Sequence, residues 1–174
     1  MKKIICFIFS FLLIFSINIY AFSPITVKFM SKNIGITTPD DEVIKYHKIE
    51  DIPEILYFSK IIAYGMAIVS CYDIDIILRN NQGIFITKDP ISQSIIISKV
   101  ENSRTGNINI AFDAGTMGEM SPDTKIAIEY KNSQTILKVL SGSIYMQSDG
   151  TEFELVTNEI YTYKTKKGFK YNAV

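Results

Sequence analysis

The chain has 174 residues, and its 18 Lys and Arg side chains are balanced by 18 Asp and Glu side chains. Its length corresponds to about one globular domain, and its hydrophobic content of 47% is typical of a folded protein. A nucleic-acid-binding protein needs an excess of basic groups to displace counterions, so the zero net charge argues against a nucleic-acid partner.

The first 21 residues have the layout of a secretory signal peptide. Lys2 and Lys3 form a basic head, residues 4–20 are almost entirely apolar, and Ala21 is a small residue at which a signal peptidase could cut. Ile19 is bulkier than usual near a cleavage site, which leaves an uncleaved membrane anchor as the alternative. In both cases the remaining chain is predicted to be exported to the periplasm or cell envelope, with the membrane contacted only by an uncleaved N-terminal segment.

Cleavage between Ala21 and Phe22 would leave 153 residues with 16 basic and 18 acidic side chains, a net charge near −2. A chain of this size can bury about two-thirds of its unfolded surface, enough to form a core without disulfides. Cys71 would then be the only cysteine and could not form an internal disulfide. Its apolar surroundings predict a buried thiol, with intermolecular pairing as the alternative.

Residues 22–63 give mixed signals and are predicted to pack as an N-terminal segment on the domain that follows. Residues 25–30 alternate like a strand. The sequence Thr-Pro-Asp-Asp-Glu resembles a helix start, with a capping hydroxyl, an early proline and acids at the positive end of the dipole, so one short helix is allowed near residues 38–48. Residues 52–64 fit either a second helix or a strand, and the alternation favours the strand.

Residues 64–174 are dominated by a period of two. Runs such as 74–78, 108–112 and 125–129 alternate outward and inward positions, are rich in isoleucine, and are separated by Gly-, Asn- and Asp-containing turns. Strands at this spacing with no helical pattern between them predict an all-β domain over 64–174, a single sandwich or roll of short, mostly antiparallel strands.

A weak internal echo is present at an offset of 77 residues. Three residues recur with identical spacing: Gly65, Leu78 and Asn81 correspond to Gly142, Leu155 and Asn158. Alternating sequences match one another easily, so an internal duplication and a chance match both remain open.

Five pieces of the C-terminal part, in order, resemble the FecR domain family. Residues 109–115 are similar to its strand ending in Asp-x-Gly, and residues 120–126 to its Leu-x-Pro-x-Thr-x-Leu segment. Residues 137–146 resemble its paired strands around glycine, and residues 153–157 its Phe-x-Val-x-Thr strand. Residues 168–173 are similar to its closing segment, although phenylalanine follows the glycine where threonine is usual.

The resemblance covers about residues 107–174 and implies an extracytoplasmic β domain. The motif positions are Asp113, Gly115, Pro122, Gly142 and Gly168. Gly115, Gly142 and Gly150 are expected to adopt positive φ, because each lies where a turn requires it. Regulatory members of the family signal to a cytoplasmic anti-sigma segment, but only three residues precede the apolar run here, so no such segment and no sigma-factor control are expected.

The sequence offers few groups for catalysis. His47 is the only histidine, which argues against multi-histidine metal sites, and it is predicted to be a surface residue. A dyad with Cys71 is the remote alternative. Asp73 and Asp75 are two positions apart, so both carboxylates are expected on one strand face, either simply exposed or holding a cation. No catalytic residue, cofactor or metal is predicted.

Aromatic residues are the last candidates for a binding surface. Tyr161 and Tyr163 are expected to share one strand face, where they could stack on sugars or pair with rings on neighbouring strands.

These patterns favour an exported, non-catalytic envelope domain that binds or scaffolds an unknown envelope protein or glycan. The alternatives are an enzyme that cleaves envelope glycans or peptides with paired carboxylates, and a structural partner that adds an edge strand to another protein.

Overall fold

The structure is a computed structural model that describes residues 25–37, 40–100, 106–112 and 115–164. Strands make up 62% of it and helices 2%, which confirms the predicted all-β fold. A single 3-10 turn covers Ile49–Asp51. The strands are β1 (Ile25–Met30), β2 (Ile34–Thr37), β3 (Val43–Tyr46), β4 (Ser59–Ala63), β5 (Ala67–Cys71), β6 (Ile74–Leu78), β7 (Gly83–Lys88), β8 (Ile95–Lys99), β9 (Ile108–Phe112), β10 (Met117–Met120), β11 (Lys125–Lys131), β12 (Gln134–Ser141), β13 (Ser143–Ser148), β14 (Thr151–Val156) and β15 (Ile160–Lys164).

Two antiparallel sheets pack face to face as a sandwich. The seven-stranded sheet has the order β1-β5-β6-β9-β10-β13-β14, and the eight-stranded sheet has the order β15-β12-β11-β8-β7-β4-β2-β3. Side chains from both sheets form one continuous core. The prediction of a single sandwich of antiparallel strands is therefore confirmed.

The chain follows one regular path through the sandwich. Consecutive strands of the same sheet are joined at one end, the upper end, which carries the tight turns Tyr72–Asp73 and Asn132–Ser133. The chain crosses from one sheet to the other at the opposite, lower end, for example at Gly142. The one departure is the connection from β3 to β4, in which residues 47–58 run back from the lower end to the upper end.

The 77-residue echo occupies equivalent places on this path. Gly65 and Gly142 are crossover residues ahead of β5 and β13, and Asn81 and Asn158 both have positive φ, 62° and 74°, after β6 and β14. The backbone N–H of Asn81 donates to Ala63, and that of Asn158 donates to Val139, so both asparagines contact the strand that precedes the crossover. The residues of the sequence echo therefore occupy corresponding positions along two similar stretches of the chain path.

Isoleucine dominates the core because the strands alternate. In β6, Ile74, Ile76 and Leu78 are completely buried, whereas the residues between them face outward. β-branched side chains suit this arrangement, since they are stiff and pack well on a pleated surface. Each fully buried side chain of this kind stabilises the fold by about 1.5–3 kcal/mol relative to exposure.

The two open sides of the sandwich are filled differently. At the side bounded by β1 and β3, Ile49–Asp51 lies against β1 and Ile55 is buried in the core. At the other side, rings from β14 and β15 pack together: Phe153 and Tyr161 have ring centroids 5.9 Å apart. Both sides are thus closed by side chains rather than by further strands.

The short helix predicted near residues 38–48 is wrong for residues 40–48, the part of this segment that the structure describes. Residues 43–46 form β3, paired antiparallel with β2, and residues 40–42 form a turn and bend. Ile44 and Tyr46 are half-buried between exposed residues, and Tyr46 packs against the core, which together with pairing to β2 outweighs the helix-start signals. The strand favoured within residues 52–64 is confirmed as β4. The predicted N-terminal segment contributes β1 to β4 to the two sheets, and its boundary at residue 63 stays a prediction.

The glycines predicted to need positive φ confirm that expectation. Gly115, Gly142 and Gly150 have φ of 81°, 76° and 76°. A Cβ atom added to Gly142 would come within 2.7 Å of the Thr124 Cα atom, whereas nothing lies within 4 Å of one added to Gly150. A residue at position 142 must therefore adopt positive φ and also leave no Cβ atom against the Thr124 backbone, and glycine meets both requirements.

Substitution of these glycines should separate the two requirements. Gly150→Ala should lower the free energy of unfolding by about 1–2 kcal/mol, because only the left-handed backbone is penalised. Gly142→Ala should cost about 3 kcal/mol or more, since the crossover must also move. Urea denaturation of the two variants measures the difference, and equal losses would contradict the packing role assigned to Gly142.

Candidate functional site

Two of the FecR-like motif residues meet at the lower end. Pro122 is the second residue of a turn in which the Thr124 N–H donates to the Ser121 carbonyl at 3.0 Å, the position where the fixed φ of proline is favourable. The backbone of Thr124 lies directly against Gly142. The structure thus brings together two positions that are twenty residues apart in sequence.

Side-chain hydroxyl groups form hydrogen bonds across this crossover. The Thr124 hydroxyl donates to the Ser143 carbonyl at 2.7 Å, and the Ser121 and Thr124 hydroxyls are 2.7 Å apart. A similar contact occurs at an earlier crossover, where the Met66 N–H donates to the Ser31 hydroxyl at 2.8 Å. Ser121 and Thr124, which flank the motif position Pro122, therefore have a structural role: their hydroxyls satisfy backbone groups where the chain changes sheets.

The other motif residues lie elsewhere. Gly115 is at the upper end, in the connection between β9 and β10. Asp113 and Gly168 lie outside the described residues, as do the predicted cleavage positions Ala21 and Phe22. The motif residues that can be placed consequently form no single cluster.

The predicted pairing of Asp73 and Asp75 on one strand face is wrong. Asp73 belongs to the tight turn before β6 and is only 3% exposed, and its carboxylate accepts a hydrogen bond from the Thr135 hydroxyl of the opposite sheet. Asp75 points outward from β6 and forms an ion pair with Lys28 at 2.7 Å. A turn residue does not follow the alternation of the strand, which is why the spacing misled the prediction.

Cys71 is completely buried at the end of β5, as predicted. Burial, and after it the nearby Asp73 carboxylate, raises the pKa of its thiol well above the usual range. The thiolate is the reactive form of cysteine, so this environment makes the thiol inert in the folded protein.

His47 is exposed, as predicted, and it follows β3 at the lower end of the sandwich. Cys71 lies near the upper end in the other sheet. The two side chains are therefore separated by the length of the sandwich, which argues against the dyad. Among the described residues, no group of three His, Cys, Asp or Glu side chains is arranged to hold a metal ion.

The tyrosines of β15 point into the sandwich. Tyr161 and Tyr163 share one strand face, as expected, but their rings pack on Phe112 of the opposite sheet, with centroids 5.6 and 5.5 Å apart. The contacts thus run between the sheets rather than between neighbouring strands, and they argue against a sugar-stacking role.

The most exposed large apolar side chain is Ile91, at 93%, in the loop between β7 and β8. The loop is held by Asp89, whose carboxylate accepts the backbone N–H groups of Ser92 at 2.9 Å and Ile91 at 2.8 Å. These hydrogen bonds lower the pKa of the Asp89 carboxyl. Ile91 is therefore presented by an ordered turn at the upper end.

The outer face of the eight-stranded sheet is strongly basic. Its outward positions, which alternate with core residues, carry six lysines and one glutamate: Lys45, Lys60, Lys125, Lys131, Lys138, Lys164 and Glu129. We call this surface the basic face. Sequence reasoning missed it because the lysines are scattered along 120 residues, and only the strand order collects them.

The outer face of the seven-stranded sheet carries the opposite charge. Its outward charged positions are Lys28, Asp75, Glu119, Glu152 and Glu154. We call this surface the acidic face. A chain with zero formal net charge thus folds into a sandwich whose two outer faces differ in sign.

Comparisons with protein-family models, curated proteins and solved structures found no match for this chain. Among the described residues, no helix is long and apolar enough to cross a membrane.

The interior hydrogen bond to Asp73 can be tested by removing its donor. Thr135→Val keeps the shape of the side chain but removes the hydroxyl, and it should lower the free energy of unfolding by about 1.5–3 kcal/mol. Thr162→Val, on the exposed face of β15, should change stability by less than about 0.5 kcal/mol. Urea denaturation compares the two, and an equally small effect of both would contradict the structural role of Asp73.

Thiol labelling tests the environment of Cys71. Because its pKa is raised, Cys71 should resist iodoacetamide at pH 8 in the folded protein and react fully in guanidinium chloride. The Cys71→Ala variant is the control, since any remaining label must then be on Cys6. Rapid labelling of native Cys71, measured by mass spectrometry, would contradict the buried position.

Proposed function

We propose that this protein is an exported, non-catalytic β domain that binds or scaffolds another component of the cell envelope. The observation that carries this proposal is the separation of charge between the basic face and the acidic face, because broad surfaces of one sign select partners of the other sign. The basic head and apolar run at residues 2–20 support export.

The positions of the reactive side chains support a non-catalytic role. General acid–base or nucleophilic catalysis requires groups within hydrogen-bond reach of one another. Here His47 is exposed at the lower end, while Cys71 and Asp73 are buried near the upper end. Cys71 and Asp73 thus have structural explanations that need no substrate, and His47 lies at the opposite end of the sandwich.

The FecR-like assignment of residues 107–174 remains part of the proposal. It is supported by the order of the first four motif pieces, whose described residues lie on or beside β9 to β14, and by the contact between the Pro122 turn and Gly142. In this view the domain serves as an extracytoplasmic binding module.

A second candidate, addition of an edge strand to a partner, is favoured by one observation. The edge strand β15 exposes 57% of Ile160 on its outward face, and β14, the edge strand of the other sheet, exposes 45% of Val156. An unpaired edge with apolar residues can accept another strand. Lys164, at the end of β15, is the type of residue that opposes such pairing.

Cell fractionation tests export directly. The full-length chain, detected with an antibody in its own host, should be found in the envelope fractions and, if residues 1–21 are removed, should have the corresponding lower mass. Recovery of the unprocessed chain from the cytoplasm would contradict the proposed function.

The non-catalytic assignment predicts that His47→Ala is silent. A strain lacking the protein and complemented with this variant should be indistinguishable from one complemented with the wild type, because the imidazole is exposed and lies far from Cys71. The Gly142→Ala variant serves as the positive control for loss through unfolding. A folded His47→Ala protein that fails to complement would show that the histidine is functional.

A further inference from the structure

Four lysines of the basic face form a continuous track across the eight-stranded sheet. Lys125, Ser98, Phe85 and Lys60 are paired in one row across β11, β8, β7 and β4. Three strand spacings separate Lys125 from Lys60, a distance of about 14 Å.

The row is extended by one lysine at each end. Lys138 is paired with Ala127, two positions along the strand from Lys125. At the other end, Lys45 on β3 is paired with Gly35 on β2. Gly35 is also paired with Ile62 on β4, which is two positions along the strand from Lys60. We call Lys138, Lys125, Lys60 and Lys45 the lysine track; it covers six strand spacings, or about 29 Å.

The track carries little compensating negative charge. Lys60 is 3.6 Å from Asp41, but the two side chains are 43% and 85% exposed, so this ion pair is weak. In the part of the chain that the structure describes, Lys125 and Lys138 have no carboxylate within ion-pair distance. The Lys45 ammonium lies 5.1 Å from the centroid of the Tyr64 ring. Because the ring is uncharged, this contact does not neutralise the positive charge of Lys45.

The shape of the track distinguishes between possible anionic partners. Insertion into a bilayer requires a cluster of protruding apolar side chains. Phe85 and Ile62 in the middle of the track are half-buried. The exposed Ile160 and Val43 lie at opposite ends, beside Lys138 and Lys45, and so form no such cluster.

The acidic face of a second copy is a less suitable partner, because Asp75 is already paired with Lys28 and the Glu152 carboxylate already accepts a hydrogen bond from the Tyr145 hydroxyl. A line of four cations about 29 Å long, in which the one ion pair among the described residues is the weak contact of Lys60 with Asp41, instead suits a linear polyanion.

We propose that the lysine track binds an anionic polysaccharide laid across the strands of the eight-stranded sheet. This inference rests on the proposed function, since export to the envelope is what brings a charged glycan within reach. Lys125 and Lys138 form its strongest part, and the row through Ser98 and Phe85 gives the chain a flat path to Lys60.

The test uses the protein expressed from its full-length gene and purified as the host processes it. Polygalacturonate is the probe, and neutral dextran of similar length is the control ligand. Binding measured by calorimetry should be detectable for polygalacturonate, absent for dextran, and should weaken steadily as sodium chloride is raised, because counterions are released.

Paired variants locate the site. Lys125→Gln with Lys138→Gln should weaken binding about tenfold, whereas Lys32→Gln with Lys48→Gln, which removes the same charge from exposed positions off the track, should weaken it less than about twofold. All four side chains extend from the surface, and an unchanged melting temperature checks folding. If either double variant is destabilised, the corresponding single variants replace it.

Several results would overturn the proposal. Equal weakening by both double variants would mean that net charge alone binds the probe. Binding to vesicles with 30% phosphatidylglycerol but not to polygalacturonate would make the basic face a membrane surface, and equally tight binding of single-stranded DNA would remove the preference for a glycan. Failure of export in the fractionation experiment contradicts the proposed function, whereas failure of polygalacturonate binding by an exported protein contradicts only this inference.

Discussion

The structure depends on one constraint, the burial of alternate side chains of antiparallel strands between two sheets. Ile74 and Ile76 in β6 and Ile84 and Ile86 in β7 are completely buried, and the residues between them face solvent. A shift of one residue in any strand would exchange the two sets, so the register of the strands is fixed wherever the inner face is apolar. The same constraint determines which residues remain for the outer faces.

The path of the chain follows from this constraint and from the turns. Inter-sheet crossovers at the lower end leave backbone groups without strand partners, and the side chains of Ser31, Ser121 and Thr124 supply those partners. Two of the tight turns contain residues at positive φ, such as Tyr72 and Asn132, which neighbouring pairing holds in place. The glycines of the 77-residue echo, Gly65 and Gly142, both lie at crossovers, although only Gly142 has positive φ.

The proposed function is linked to the outer faces, because the inner faces are used for packing. Two side chains that could take part in catalysis are buried in the interior. The Cys71 thiol is inert there, and the Asp73 carboxylate accepts a hydrogen bond from Thr135 of the opposite sheet. The charged residues are instead divided by face, with Lys125 and Lys138 on one side and Glu119 and Glu154 on the other. A neutral chain can thus present two surfaces of opposite sign, and association with charged partners depends on such local fields rather than on net charge.

The sequence by itself determined the all-β class, the antiparallel strands, the buried Cys71 and the glycines at positive φ, because these depend on local alternation and local turn geometry. It did not determine that residues 43–46 form a strand, where packing against β2 outweighs a local helix signal. Nor did it determine that Asp73 is buried or that six lysines lie together on the basic face. Asp73 was placed by the turn before β6 and by its contact with Thr135 of the facing sheet, and the basic face by the order of strands in its own sheet. In both cases residues far apart in the chain become neighbours, and no local pattern records that.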